Sequence, residues 1–153
     1  MKSRSTISGF TLIELIMVIV ILSILSLYAS SRFIRTGISA VAIQDQVISV
    51  VRQVQVNRMQ SNVSSAVGNN DFILSIATNC IGSKASCSSQ SSSRSDWVED
   101  SSVTFSPVRE VQFDLLGNPT PPSVTISISE NNSSQTCTVT INEQGYVSKG
   151  GCS

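Results

Sequence analysis

A run of twenty mostly apolar residues, Phe10 to Ala29, contains a single charge, the carboxylate of Glu14. On insertion scales an acidic residue near the middle of a membrane helix costs roughly 2.5–3.5 kcal/mol, so a lone carboxylate at such a depth calls for a partner. The run itself holds no cation. The one cation that could sit at that depth is an α-amino group created by cutting the chain before Phe10. An amine on residue 10 of one copy and Glu14 of its neighbour would neutralise each other when copies pack side by side in a stagger. A charge that is costly alone then sets register in an assembly.

Twenty residues rising about 1.5 Å each can span a bilayer of about 30 Å as a helix. Ile and Val abound in the run and favour strand, but lipid requires every backbone group to be bonded within the segment and so selects helix. An ordinary secretory signal fits less well, because its apolar core is shorter and its cleavage site has small-x-small spacing. Lys2 and Arg4 precede the run. The positive-inside bias holds them in the cytoplasm and directs the remainder to the periplasm or beyond.

The 153 residues leave room for one compact domain besides a long helix. The net charge of zero averages unlike halves: beyond residue 62 four basic side chains face eight acidic ones, about −4. Such a head repels nucleic-acid phosphates, and no nucleic-acid partner is expected. The absence of His removes the usual general base, the Ser/His and Cys/His nucleophile pairs and the commonest metal ligand. No enzyme activity, cofactor or metal is expected. Asp96, Glu99 and Asp100 lack the alternating ligand spacing and fixed Gly of a calcium loop and read as a solvated acidic turn.

Four cysteines, Cys80, Cys87, Cys137 and Cys152, all lie in the presumed extracytoplasmic part. An even number without CxxC pairs suits disulfides in an oxidising compartment rather than zinc. Of the three possible connectivities, proximity along the chain favours Cys80–Cys87 with Cys137–Cys152.

From Arg32 to about Asn62 the pattern becomes amphipathic, with Val41, Val47, Val51, Val54 and Arg58 near helical spacing. The helix is expected to continue and lay this stripe on the head, with Arg52, Gln55 and Arg58 supplying a solvated face. Asn62 to Asn70 reads as its end. Strands are predicted at Asp71–Thr78, Val103–Phe105, Val108–Leu115, Val124–Ser129 and Thr136–Ile141, with a short edge strand at Gly145–Val147. Turns at 117–119 and 130–134 make them antiparallel hairpins. Between them, 83–95 carries eight Ser in thirteen residues and reads as an exposed loop tethered by Cys80 and Cys87. Trp97 is read as the anchor that tucks this loop onto the core. The fold class is α+β, a long helix packed on an antiparallel sheet.

The basic leader Met1–Gly9, the junction Gly9-Phe10-Thr11-Leu12-Ile13-Glu14-Leu15 and the apolar continuation through Leu27 resemble a type IV prepilin. The resemblance implies a membrane peptidase that cleaves between Gly9 and Phe10 and methylates the new amine. Gly9 would admit the peptidase because it has no side chain, Phe10 would become the N-methylated terminus, and Glu14 would pair with a neighbour's amine. Leu12 to Leu27 would pack in the core of a helical fibre. The implied organisation is a leader at 1–9, a membrane and fibre-core helix at 10–30, its amphipathic continuation at 31–62 and a β-rich head at 63–153, the lollipop shape of pilins. The Cys137–Cys152 segment resembles the C-terminal disulfide loop of many pilins.

Implied partners are other pilin subunits, the prepilin peptidase and methyltransferase, an inner-membrane assembly platform and, before assembly, the inner membrane of a Gram-negative bacterium. The expected role is that of a minor pilin, of mannose-sensitive haemagglutinin type or pseudopilin-like, in pilus initiation or surface adhesion. A type II secretion pseudopilin and an adhesin-like head are the alternatives. Arg52, Gln55 and the Phe113–Gly117 spacing faintly resemble the pseudopilin class. Many major pilins carry a Pro just past the apolar run, whereas 28–33 has none, which puts a helix kink in doubt.

Overall fold

A computed structural model describes residues 11–33 and 38–153. The chain divides into two units, Met1–Thr36 and Gly37–Ser153. In the first, Leu12–Phe33 forms helix α1. Its side chains are described as far as Ser26, and every one of them from Thr11 onward is exposed. Among the described residues no helix is long and apolar enough to cross a membrane. The end of the apolar run at 27–29 lies beyond the described side chains.

The second unit opens with helix α2, Ile38–Met59. Ala40, Gln44, Val47, Val51, Val54 and Arg58 are buried along one side of it, at alternating spacings of four and three that a 3.6-residue turn brings into a single stripe. Val41, read from sequence as part of the stripe, is exposed instead, because it lies one position off this line.

Two antiparallel sheets receive the stripe. The first has the order β3-β2-β1-β5-β6, from Trp97–Glu99, Cys80–Ser83, Ile73–Ile76, Arg109–Phe113 and Pro119–Thr120. The second has the order β4-β7-β8-β9, from Val103–Ser106, Val124–Glu130, Thr136–Ile141 and Val147–Cys152. Strict alternation buries Val124, Ile126 and Ile128 of β7 against Cys137, Val139 and Ile141 of β8. These join Leu74, Ile81, Val111 and Phe105 and the α2 stripe in one core.

The head thus holds two sheets where one was expected. The strand read at 71–78 is shorter, since Asn69 caps a 3-10 turn over Asn70–Phe72 by accepting from the Asp71 N–H before β1 begins. The edge strand read at 145–147 starts two residues later and runs to Cys152. The largest difference lies in 83–95, which is not an open loop. Ser83 ends β2 and caps helix α3, Lys84–Ser89, by accepting from the Ser86 N–H, and β3 then returns antiparallel to β2. Serine-rich composition suggested solvent, but capping hydroxyls and a bridge from Cys80 to Cys87 order the segment. Helix α2 lays its stripe in the same core as the two sheets.

Candidate functional site: the capped helix and the clamped head

The Gly9–Phe10 junction lies outside the described residues. Thr11 stands just before α1, and its backbone carbonyl accepts from the N–H groups of Glu14 (3.1 Å) and Leu15 (3.2 Å). Its hydroxyl also accepts from the Glu14 N–H at 3.3 Å. Thr-x-x-Glu is the spacing of a capping box, and a carboxylate in the first turn is favoured by the helix dipole. Glu14 therefore sits at the helix start for local reasons, yet its side chain has no partner among the described residues and is exposed. Around it Leu12, Ile13, Leu15, Ile16 and Met17 are exposed as well. The polar Ser23 is satisfied within the helix, its hydroxyl donating to the Ile19 carbonyl at 2.7 Å. Among the residues of α1 with described side chains, Glu14 alone presents a charge.

In the head, four polar side chains of α2 clamp the helix to distant backbone. The Gln44 amide, fully buried, donates to the carbonyls of Thr138 (2.7 Å) and Gly150 (3.0 Å). Arg52 donates to the Val147 carbonyl at 3.0 Å. The Gln55 amide donates to the carbonyls of Gly117 (2.7 Å) and Gly145 (2.8 Å), joining two turns that are far apart in sequence. Both glycines have positive φ, and a Cβ on Gly145 would collide with the Gly117 carbonyl and the Gln55 amide. Arg58 is 3% exposed and donates to the carbonyls of Phe113, Val63 and Ser64 and to the Ser61 hydroxyl. The solvated-face reading holds for Arg52, which is exposed, and fails for Gln55 and Arg58. The signal that could have exposed the error was position, since Arg58 falls on the buried stripe.

A second polar cluster holds the α3 segment. Arg94 bonds both Asp96 oxygens (2.7 and 3.0 Å) and Asp71 (2.7 Å), and the Ser86 hydroxyl donates to Asp96 at 2.6 Å. Burial pushes the Asp96 carboxyl up, but the bonds from Arg94, Ser83 and Ser86 outweigh it and hold the group well below the usual carboxylate range. The Asp114 carboxyl is likewise lowered, chiefly by the Asn118 side-chain amide, with backbone N–H groups of that turn adding to it. The acids grouped in sequence point to different partners: Asp96 to Arg94, Glu99 to Asn79, and Asp100 to the Ser102 N–H and hydroxyl. No cluster able to hold a metal occurs among the described residues. Trp97 is half-buried, and its ring N–H donates to the Ser91 carbonyl, which ties down the Ser-rich stretch.

The cysteines form two bridges, Cys80–Cys87 and Cys137–Cys152, and none is free. The second joins β8 to β9 close to the chain end.

Residues 4–30 match the family model of the prokaryotic N-terminal methylation motif. The match supports a type IV pilin-like or pseudopilin-like protein, and the α+β head of helix and antiparallel sheets fits that class. It ends within α1 and leaves the head uncovered. No curated protein and no solved structure matches the chain.

Proposed function

We propose that this chain is a minor pilin, a structural subunit that joins a type IV pilus through its N-terminal helix and serves initiation of the fibre or surface attachment. The carrying observation is the pairing of the motif match at 4–30 with a capped helix whose described apolar side chains and one carboxylate are all exposed. In this reading the leader is removed between Gly9 and Phe10, and the new amine of Phe10 is methylated. The apolar run from Phe10 to Ala29 holds the subunit in the inner membrane with its head in the periplasm. Assembly replaces lipid by neighbouring helices, and Glu14 meets the terminal amine of a neighbour. Two opposite charges in a medium of low dielectric attract strongly enough to select one stagger over others.

Intact-mass and N-terminal analysis of protein from membrane and sheared-fibre fractions tests this. N-methylated Phe10 in the fibre fraction is the expected result. Processed protein confined to the membrane would support a type II secretion pseudopilin instead, and an uncut Met1 would overturn both.

A further inference from the structure

Each sheet has two edges, and three of the four are engaged at one point or blunted by proline. On the outer side of β9 the Val147 carbonyl accepts from Arg52 of α2. On β4 the Phe105 N–H donates to the Thr78 carbonyl at 2.8 Å. The two-residue strand β6 begins with Pro119 and is followed by Pro121 and Pro122. The fourth edge, β3, has β2 on one side and, among the described residues, no strand on the other.

Its register shows which groups face outward. The Ser83 N–H donates to the Asp96 carbonyl (2.9 Å) and the Asp100 N–H to the Asn79 carbonyl (3.3 Å). In an antiparallel ladder bonded pairs alternate, so the pair Ile81–Val98 is bonded while Trp97 and Glu99 turn their N–H and carbonyl groups away from β2. Among the described residues no hydrogen bond engages these four groups. Beside the edge lies an open cleft of about 230 Å³ lined by Gln46, Ser49 and Val50 of α2 with Ser95, Trp97 and Val98. None of these six carries a charge. Glu99 is exposed at the end of the strand, Asp100 follows it, and Arg94, five residues earlier in the chain, is held by Asp96 and Asp71.

The geometry points to the β3 edge as a docking site for an extended segment of another polypeptide that carries a basic side chain opposite Glu99. Such a segment would add a strand beyond β3, bonding Trp97 and Glu99 through its backbone. Its alternate side chains would fall on the two faces of the sheet. Small or hydroxyl side chains suit the neutral cleft against α2, and a Lys or Arg on the opposite face would meet Glu99. Three residues of strand limit the contact to a short segment and a weak, exchangeable bond. This inference does not rest on the fibre reading, since it uses only the head.

The test uses the full chain in non-ionic detergent micelles, isotopically labelled, with a terminally blocked peptide of alternating Thr and Lys and a counterpart with Glu in place of Lys. Amide exchange at Trp97 and Glu99 should slow on addition of the Lys peptide while Val98, already bonded to Ile81, is unchanged. The Glu peptide should bind about tenfold more weakly. Glu99→Pro removes an outward donor without breaking a bond to β2, and should lower Lys-peptide affinity by about tenfold or more. Glu99→Lys, which leaves the backbone intact, should reverse the preference between the peptides. Absence of saturable binding, protection that extends equally to Val98, or equal affinity of both peptides for Glu99→Lys would each overturn the proposal.

Discussion

Helices α1 and α2 have the same length, 22 residues, and differ in what completes them. In α2 the apolar stripe is covered by two sheets, and Gln44, Arg52, Gln55 and Arg58 find carbonyls on the head. In α1 the described apolar side chains are uncovered, the Ser23 hydroxyl is satisfied inside the helix, and the one carboxylate has no partner among the described residues. Buried polar groups are tolerated when they are hydrogen-bonded, and the buried Gln44 and Arg58 of α2 find their partners within their own chain. For α1 the equivalent partners would come from other chains. One helix is completed by its own chain; the other is not, among the described residues.

The largest expected effect breaks the comparison at Glu14. Glu14→Val should leave processing at Gly9 intact and lower incorporation into fibres by about tenfold or more, the order expected when one member of a desolvated charge pair is lost. Quantitative immunoblotting of sheared fibres against membranes reads it, and unchanged incorporation would refute the pairing. Next comes the clamp. Arg58→Met should destabilise the head by about 3 kcal/mol, because it strands three carbonyls that the guanidinium now bonds, and denaturant unfolding checks this.

The bridges sharpen the account of the head. In the chain-entropy treatment, removing Cys137–Cys152, with a separation of 15, costs about 3 kcal/mol. Removing Cys80–Cys87, with a separation of 7, costs about 2 kcal/mol. Serine pairs at the two sites should rank in that order on unfolding. The smallest effect concerns Asp96. A carboxyl whose folded pKa is depressed stabilises the fold above its unfolded pKa of about 3.9 and loses that contribution as pH falls towards the folded value. Asp96→Asn should cost about 2 kcal/mol or less at neutral pH, allowing for the partial exposure of Arg94, and the gap should narrow below about pH 4. A gap that widens on acidification would contradict the Arg94–Asp96 account.

Much of this was legible in the residues, unevenly. Period-two alternation marks β7 and β8 because one face of each is buried, and the β8 limits, Thr136–Ile141, match the reading. The Thr-x-x-Glu start of α1 lies inside a motif that is informative on its own. The β2-α3-β3 segment was hidden because its order comes from cross-strand packing that composition does not report. Gly82 faces Trp97 so closely that a Cβ there would collide with the Trp97 backbone and Cβ. Gln55 was unreadable for a related reason, since its partners Gly117 and Gly145 are far away in sequence and meet only after folding. The charge of Arg58 suggests solvent, but its position on the stripe buries it.

The most direct test of the contrast places a photoreactive leucine analogue at Leu15 of α1, which is exposed, and separately at Val51 of α2, which is buried. Irradiation of assembled material should give adducts between chains from position 15 and adducts within the chain from position 51. Adducts from position 15 that reach only lipid or the same chain in assembled fibres would contradict the claim that α1 is completed by its neighbours.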